Sequence, residues 1–297
     1  MALVAVLISN PARPAITDAV LAEARAVLRT RHQPRILHGE VAAELLLDED
    51  TAENAEAALR AALGSEPIDI AVLPADAHRR KRLLLADMDS TMIEQECIDE
   101  LADTLGLKGT VAAITERAMR GEIAFEPALR ERVALLAGIE AASIDGLIAE
   151  RLTLTPGGTT LVRTMRAHGA RTCLVSGGFS LFTGPIAARI GFEEERANRL
   201  GLAEGRLDGT VAEPIVGRAA KRETLIELRE KTGLGPAATM AVGDGANDLD
   251  MLAEAGLGVA FRAKPAVAAQ ARARIEHGDL TALLYLQGYA ASAFVAA

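Results

Sequence analysis

Four short apolar segments, Leu83–Ala86, Thr172–Val175, Thr239–Val242 and Gly258–Phe261, recur along the chain with helix-length stretches between them. Strands that read as continuous apolar runs and alternate with helical patterns belong to a parallel sheet covered on both faces. The fold class this implies is α/β, with a doubly wound parallel sheet. One spacing is unusual. Residues 87–171, between the first and second segments, are far more than a crossover requires. Their apolar positions, among them Leu101, Leu105, Ile114, Leu129, Val133, Leu136, Ile144 and Ile148, recur at helical spacing. Residues from about 97 to 155 are therefore expected to form a helical cap over the strand ends. Further on, Ala197–Leu202 and Arg206–Ala212 flank Ala203-Glu204-Gly205 and predict a hairpin.

Residues 1–78 carry a different pattern, that of a small α+β unit. Leu3–Ile8, Val41–Leu47 and Ile68–Leu73 read as strands, with a further strand near Ile36. Val20, Leu21, Ala24, Val27 and Leu28 mark one helix, and Thr51–Leu63 a second, Ala-rich one stopped by Gly64. This unit has no Gly-rich phosphate loop and no clustered acid or base. It ends at Pro74 and the basic run His78-Arg79-Arg80-Lys81-Arg82, which reads as a solvated linker. Residues 79–297 form the larger unit.

Composition excludes several functions. A net charge of −9 argues against nucleic acid as a partner, because phosphate backbones are bound by excess Lys and Arg. No run approaches the ~20 apolar residues of a membrane span. The opening MALVAVLISNPARP lacks the basic start of a signal peptide and reads as a first strand. Cys97 and Cys173 show no metal-ligand spacing and read as packed thiols in a reducing cytoplasm. The five His residues are scattered and receive no role.

Chemistry concentrates where the apolar segments end, which is where ligands bind in a sheet of this kind. The first runs into Asp87-Met88-Asp89-Ser90-Thr91, the second into Ser176-Gly177-Gly178, and the third into Gly243-Asp244-Gly245-Ala246-Asn247-Asp248. Any one of these could be a plain turn. Together they bring carboxylates, a hydroxyl and backbone amides to one edge. Asp87, Asp89, Asp244 and Asp248 would repel one another without a cation, and hard oxygen ligands point to Mg²⁺. Ser176-Gly177-Gly178 is expected to open a helix, whose free N–H groups would seat an anion. Lys221, in the helical stretch KRETLIELREK, would neutralise phosphate charge beside such a cluster.

DMDST, SGG, a lysine and GDGAND, in that order, resemble the four motifs of the haloacid dehalogenase superfamily of phosphohydrolases. The cap narrows the likeness. Glu96, the run F-E-x-x-L-R-x-R-V from Phe125 to Val133, and Thr155-Pro156-Gly157 resemble the phosphoserine phosphatases. The resemblance covers roughly residues 83–290, and residues 1–78 match ACT-like domains only in element order. It implies that Asp87 attacks phosphorus to give an aspartyl-phosphate, while Asp89 protonates the leaving serine oxygen and later activates water. It implies Mg²⁺ held by Asp87, the Asp89 carbonyl and Asp244, with Asp248 in support. Ser176, Gly177, Lys221 and Asn247 would hold the phosphoryl group, Arg132 the substrate carboxylate and Glu96 its ammonium. The implied substrate is O-phospho-L-serine, in the last step of serine biosynthesis. The N-terminal unit is expected to pair between subunits as a homodimer or to pack on the core. Two alternatives stay open: another phosphomonoesterase or phosphotransferase of the superfamily, and a catalytically idle amino-acid sensor.

Overall fold

The computed structural model describes residues 2–47, 54–119 and 122–296. The N-terminal unit runs β1 (Leu3–Ser9), α1 (Asp18–Leu28), β2 (Arg35–His38), β3 (Ala42–Leu47), α2 (Ala55–Leu63) and β4 (Ile68–Pro74). The strands lie in the order β2-β3-β1-β4, and every neighbouring pair is antiparallel. This is the split β-α-β arrangement of ferredoxin-like folds. The extra strand near Ile36 is present. The expected helix Thr51–Leu63 is observed from Ala55, and residues 51–53 lie outside the described residues.

The sheet's two faces follow from strand alternation. Ala5, Leu7, Leu45, Ile70 and Val72 face the helices, burying Ala24, Leu28, Leu59 and Leu63. Val4, Val6, Ile8, Ala71 and Leu73 face the other way, into one apolar cluster with Leu283, Tyr285, Leu286 and Tyr289 of the larger unit. The buried Asp69 carboxylate on β4 fastens this contact. It accepts backbone N–H bonds from Glu276 (2.7 Å), His277 and Gly278 (2.8 Å).

The basic run between the units is not the solvated linker its charge suggests. Lys81 is buried, and its Nζ donates to the Ala237 carbonyl at 2.7 Å. Arg79 pairs with Glu44 at 2.6 Å and donates to the Leu286 carbonyl, while Arg80 lies over the Tyr289 ring. Bringing two sheets together buries carbonyls and a carboxylate that need donors, and these cations supply them.

The larger unit starts with β5 (Leu83–Ala86), followed by four helices: α3 (Cys97–Asp103), α4 (Lys108–Met119), α5 (Phe125–Ala134) and α6 (Ser143–Arg151). It continues with α7 (Gly158–Ala167), β6 (Arg171–Phe179), α8 (Ser180–Ile190), β7 (Glu194–Asn198) and the hairpin β8 (Leu200–Ala203) and β9 (Arg206–Val211). Last come α9 (Arg218–Lys231), β10 (Thr239–Gly243), α10 (Leu249–Glu254), β11 (Leu257–Phe261), α11 (Pro265–Ala268), β12 (Ala273–Ile275) and α12 (Ala282–Leu286).

Six strands form a parallel sheet in the order β12-β11-β10-β5-β6-β7. Leu83 and Leu85 face Leu225, Leu228 and Met251, whereas Leu84 and Ala86 face Val162, Met165 and Phe182. The strands are thus apolar on both sides. Successive strands are added to one side of β5 (β6, β7) and then to the other (β10, β11, β12). In such sheets the crevice lies beyond the strand ends where the order reverses. Asp87 follows β5 and Asp244 follows β10, so topology alone brings these two carboxylates together. Among the described residues, no helix is long and apolar enough to cross a membrane.

Candidate active site

A cavity of about 520 Å³ opens between three of the inserted helices, α3, α4 and α5, and the strand ends. Asp87, Asp89, Glu96, Arg132, Ser176, Gly177, Asp244 and Asn247 all line it. The two remaining sequence-predicted residues, Lys221 and Asp248, sit directly behind and are fully buried.

The centre is a carboxylate–lysine–carboxylate array. Lys221 Nζ lies 2.7 Å from one oxygen of Asp87 and 2.7 Å from one oxygen of Asp248. Burial works against the Lys221 charge, but Asp248 and Asp87 outweigh it and hold the ammonium above the ordinary lysine range. The second Asp248 oxygen accepts from the Gly245 N–H at 3.1 Å. Asp248 thus ties the lysine to the loop after β10. Gly243 leaves the space for this, because a Cβ there would overlap the Asp248 carboxylate.

One oxygen from each of Asp87, Asp244 and Asp248 lies within 4.8 Å of the others. Burial, then the charge of Asp248, raise the Asp87 pKa well above the carboxylate range. The same two causes raise Asp244 to about 6, against the pull of Lys221 and Lys264. Three hard-oxygen carboxylates converging under such strain form a donor set that suits a divalent cation.

Asp89 is oriented on both oxygens. One accepts the Cys97 N–H at 2.8 Å at the start of α3, and the other accepts Ser176 Oγ–H at 3.2 Å. Burial raises its pKa, and those hydrogen bonds oppose the rise. A carboxyl shifted in this direction holds its proton more readily than a free one, as a general acid requires. The preceding turn needs Ser90 at φ 54°, and Ser90 Oγ donates to Glu96 at 2.7 Å. Desolvation in the cavity and the charge of Asp89 lift Glu96 to about 7.

The second loop departs from expectation. Ser176-Gly177-Gly178 does not open a helix; these residues belong to β6, and α8 begins at Ser180. Pairing with β7 breaks between Val175 and Phe179, so the three residues leave the ladder. Gly178 N–H turns to Ser176 Oγ at 2.8 Å, and a Cβ on Gly178 would stand only 3.0 Å from Asp89 Oδ2. The segment expected to seat an anion is therefore a strand-end bulge, not a helix N-terminus.

Arg132 on α5 reaches the cavity from the inserted helices. Its guanidinium donates to the Ala128 carbonyl and to Thr115 Oγ1, each at 3.2 Å. Phe125, 40% exposed at the start of α5, stands against Gly177 and Gly217. Sequence reasoning missed Asn198, whose Nδ2 donates to the Gly177 carbonyl (2.8 Å) and whose Oδ1 accepts the Val216 N–H (2.7 Å). This amide, at the end of β7, locks the bulge to the segment leading into α9. A lone Asn in a polar strand offers no sequence signal for it. Lys264, also missed, follows β11 and lines the cavity. Cys97 and Cys173 are buried free thiols, and burial pushes Cys173 up to about 12.

A family model described as haloacid dehalogenase-like hydrolase matches residues 84–253. The chain is 45% identical over 235 residues to a phosphoserine phosphatase of Streptomyces coelicolor, a match covering 77% of this chain and 57% of that protein. The chain therefore spans little more than half of that relative's length. A phosphoserine phosphatase of Polaromonas sp. is 46% identical over 210 residues, 69% of this chain and 89% of the relative. Among solved structures, a haloacid dehalogenase-family hydrolase from Salmonella enterica serovar Typhi superposes with a TM-score of 0.86 at 28% identity. That match covers 96% of this chain and 98% of the other.

Proposed function

The chain belongs to the haloacid dehalogenase-like hydrolases, and from that membership we propose that it is a phosphoserine phosphatase, releasing L-serine and phosphate from O-phospho-L-serine. The observation that carries this reading is one cavity with a carboxylate–lysine–carboxylate array at its floor and both an arginine, Arg132, and a carboxyl, Glu96, on its wall. Phosphoserine presents a carboxylate and an ammonium beside its ester, and these match the pair. The relatives named phosphoserine phosphatases support the same choice.

The Asp87 carboxylate attacks phosphorus, the bond from phosphorus to the serine oxygen breaks, and Asp89 delivers its proton to that oxygen. Asp89 then removes a proton from water as the water oxygen attacks the aspartyl-phosphate, and the bond to Asp87 breaks to free phosphate. Ser176, the Gly177 backbone, Lys221 and Asn247 hold the phosphoryl oxygens, whose charge is what catalysis of phosphoryl transfer must stabilise. Asp87, Asp244 and the Asp89 carbonyl would hold Mg²⁺, with Asp248 in support. When bound, that ion supplies charge neutralisation for the phosphoryl group.

Residues 1–78 we read as an ACT-like unit, on the strength of its β-α-β-β-α-β order, and residues 79–297 as the catalytic unit, with the insertion from about 97 to 155 as its cap. A cytoplasmic location and a homodimer through the N-terminal unit complete the proposal. The apolar face of that sheet is already spent on the larger unit, which leaves an edge strand for self-association.

A panel of phosphate esters with Mg²⁺ tests the substrate. O-phospho-L-serine is expected to be turned over best, and a clear preference for a sugar phosphate would overturn the reading. Arg132→Ala is expected to lower kcat/KM for phosphoserine by about 10²-fold, the cost of an unpaired carboxylate, with little change for an aryl phosphate. An equal loss on both esters would place Arg132 in the catalytic machinery and not in recognition.

A further inference from the structure

Lys264 is a cation at the cavity that the proposed mechanism leaves unused. It lies three residues beyond the end of β11 and precedes Pro265 at the start of α11, on the strand-end edge where Asp87 and Asp244 also sit. Its backbone N–H donates to the Asp244 carbonyl at 3.3 Å, which fixes its loop against the loop after β10. Its side chain is exposed. Among the described residues, no hydrogen bond or ion pair engages its ammonium. Lys221, by contrast, is fully buried and committed to two carboxylates.

The charge around the cavity gives this free lysine a task. Asp87, Asp89, Glu96, Asp99 and Asp244 line it, against the cations of Arg132 and Lys264. Arg132 belongs to the inserted helices and is anchored on Ala128 and Thr115. Lys264 is thus the one lining cation on the sheet side, among the described residues. A phosphate dianion approaching such an acidic mouth meets repulsion unless a cation lies on its path.

We propose that Lys264 is the capture residue of this site: an exposed ammonium that draws the phosphate ester past the acidic rim and hands it to Lys221 and the strand-end bulge. It takes no part in bond making or breaking. The proposal rests on the phosphatase reading for its substrate, but it concerns any phosphate-bearing ligand.

The test is a salt series on wild type, Lys264→Gln and Lys264→Arg, with two readouts. Steady-state kinetics on O-phospho-L-serine is one, and calorimetric binding of inorganic phosphate with Mg²⁺ present is the other. At low salt, Lys264→Gln is expected to lower kcat/KM and phosphate affinity by roughly 3–10-fold, the share of a steering field carried by one charge. The kcat is expected to stay unchanged. The gap should close toward ~1 M salt, where screening acts within about 3 Å. Lys264→Arg should restore wild-type behaviour, since the charge returns while the backbone bond to Asp244 was never removed. Equal salt slopes in wild type and Lys264→Gln, or a salt-independent fall in kcat, would overturn the assignment. If wild type ignores phosphoserine, the substrate reading fails, and the phosphate-binding series still decides the role of Lys264.

Discussion

Asp87→Asn is expected to lower turnover by about 10⁴–10⁶-fold, the scale seen when a covalent nucleophile is removed, while the protein stays folded. The reason lies in what the amide keeps and what it loses. Asn has the shape of Asp, and its Oδ1 can still accept the Met88 N–H that Asp87 takes at 2.8 Å. Lys221 retains Asp248 at 2.7 Å, so no buried charge is orphaned. Metal-free stability is expected to hold or to rise slightly, because burial and Asp248 disfavour the Asp87 charge. Urea unfolding together with phosphate release measures both effects. Activity above a few per cent of wild type would show that Asp87 is not the attacking group.

The second large effect concerns Lys221. Lys221→Met preserves length and apolar stem but strips the cation from between Asp87 and Asp248. Breaking a buried ion pair from one side typically costs ~3–5 kcal/mol, because the remaining charges stay buried and unpaired. The urea midpoint of the metal-free variant is expected to fall accordingly. Loss of a preorganised contact to the phosphoryl oxygens adds a kcat penalty of roughly 10²–10³-fold. Mg²⁺ is expected to recover much of the stability, because a divalent cation offsets the same carboxylates, but little of the rate. An unchanged midpoint without metal would mean that the carboxylates are neutral in the folded protein, and that the array is not charged as described here.

The parts of this molecule that were legible in its sequence are those where a residue type has few physical options. Leu83–Ala86 is apolar throughout and Thr239–Val242 nearly so, as a strand buried on both faces requires, and each runs into an aspartate at the switch point of the sheet. The inserted helices were visible because residues 87–171 exceed any crossover. Other features were not visible. β7, Glu194–Asn198, is polar because it edges the sheet, and its sequence EERAN carries no strand pattern. The bulge at Ser176–Gly178 depends on how β6 registers with β7, a long-range property. The basic run His78–Arg82 reads as solvated by composition alone, and only the packing of two sheets shows that Arg79 and Lys81 have buried partners. Lys264 was missed for a related reason. A single lysine after a strand is ordinary until the loop after β10 is seen beside it.

The pair Asp87 and Asp89 carries the whole account, and one trapping measurement addresses it directly. On the proposed mechanism Asp89→Asn keeps the nucleophile but loses both the proton for the leaving oxygen and the activation of water. Each step is expected to slow by about 10²–10⁴-fold while the aspartyl-phosphate still forms. Incubating that variant with O-phospho-L-serine and Mg²⁺, then digesting under acid and sequencing the peptides by mass spectrometry, should find the phosphoryl group on Asp87. Phosphate on any other residue, or no phosphopeptide while serine is still released, would contradict it.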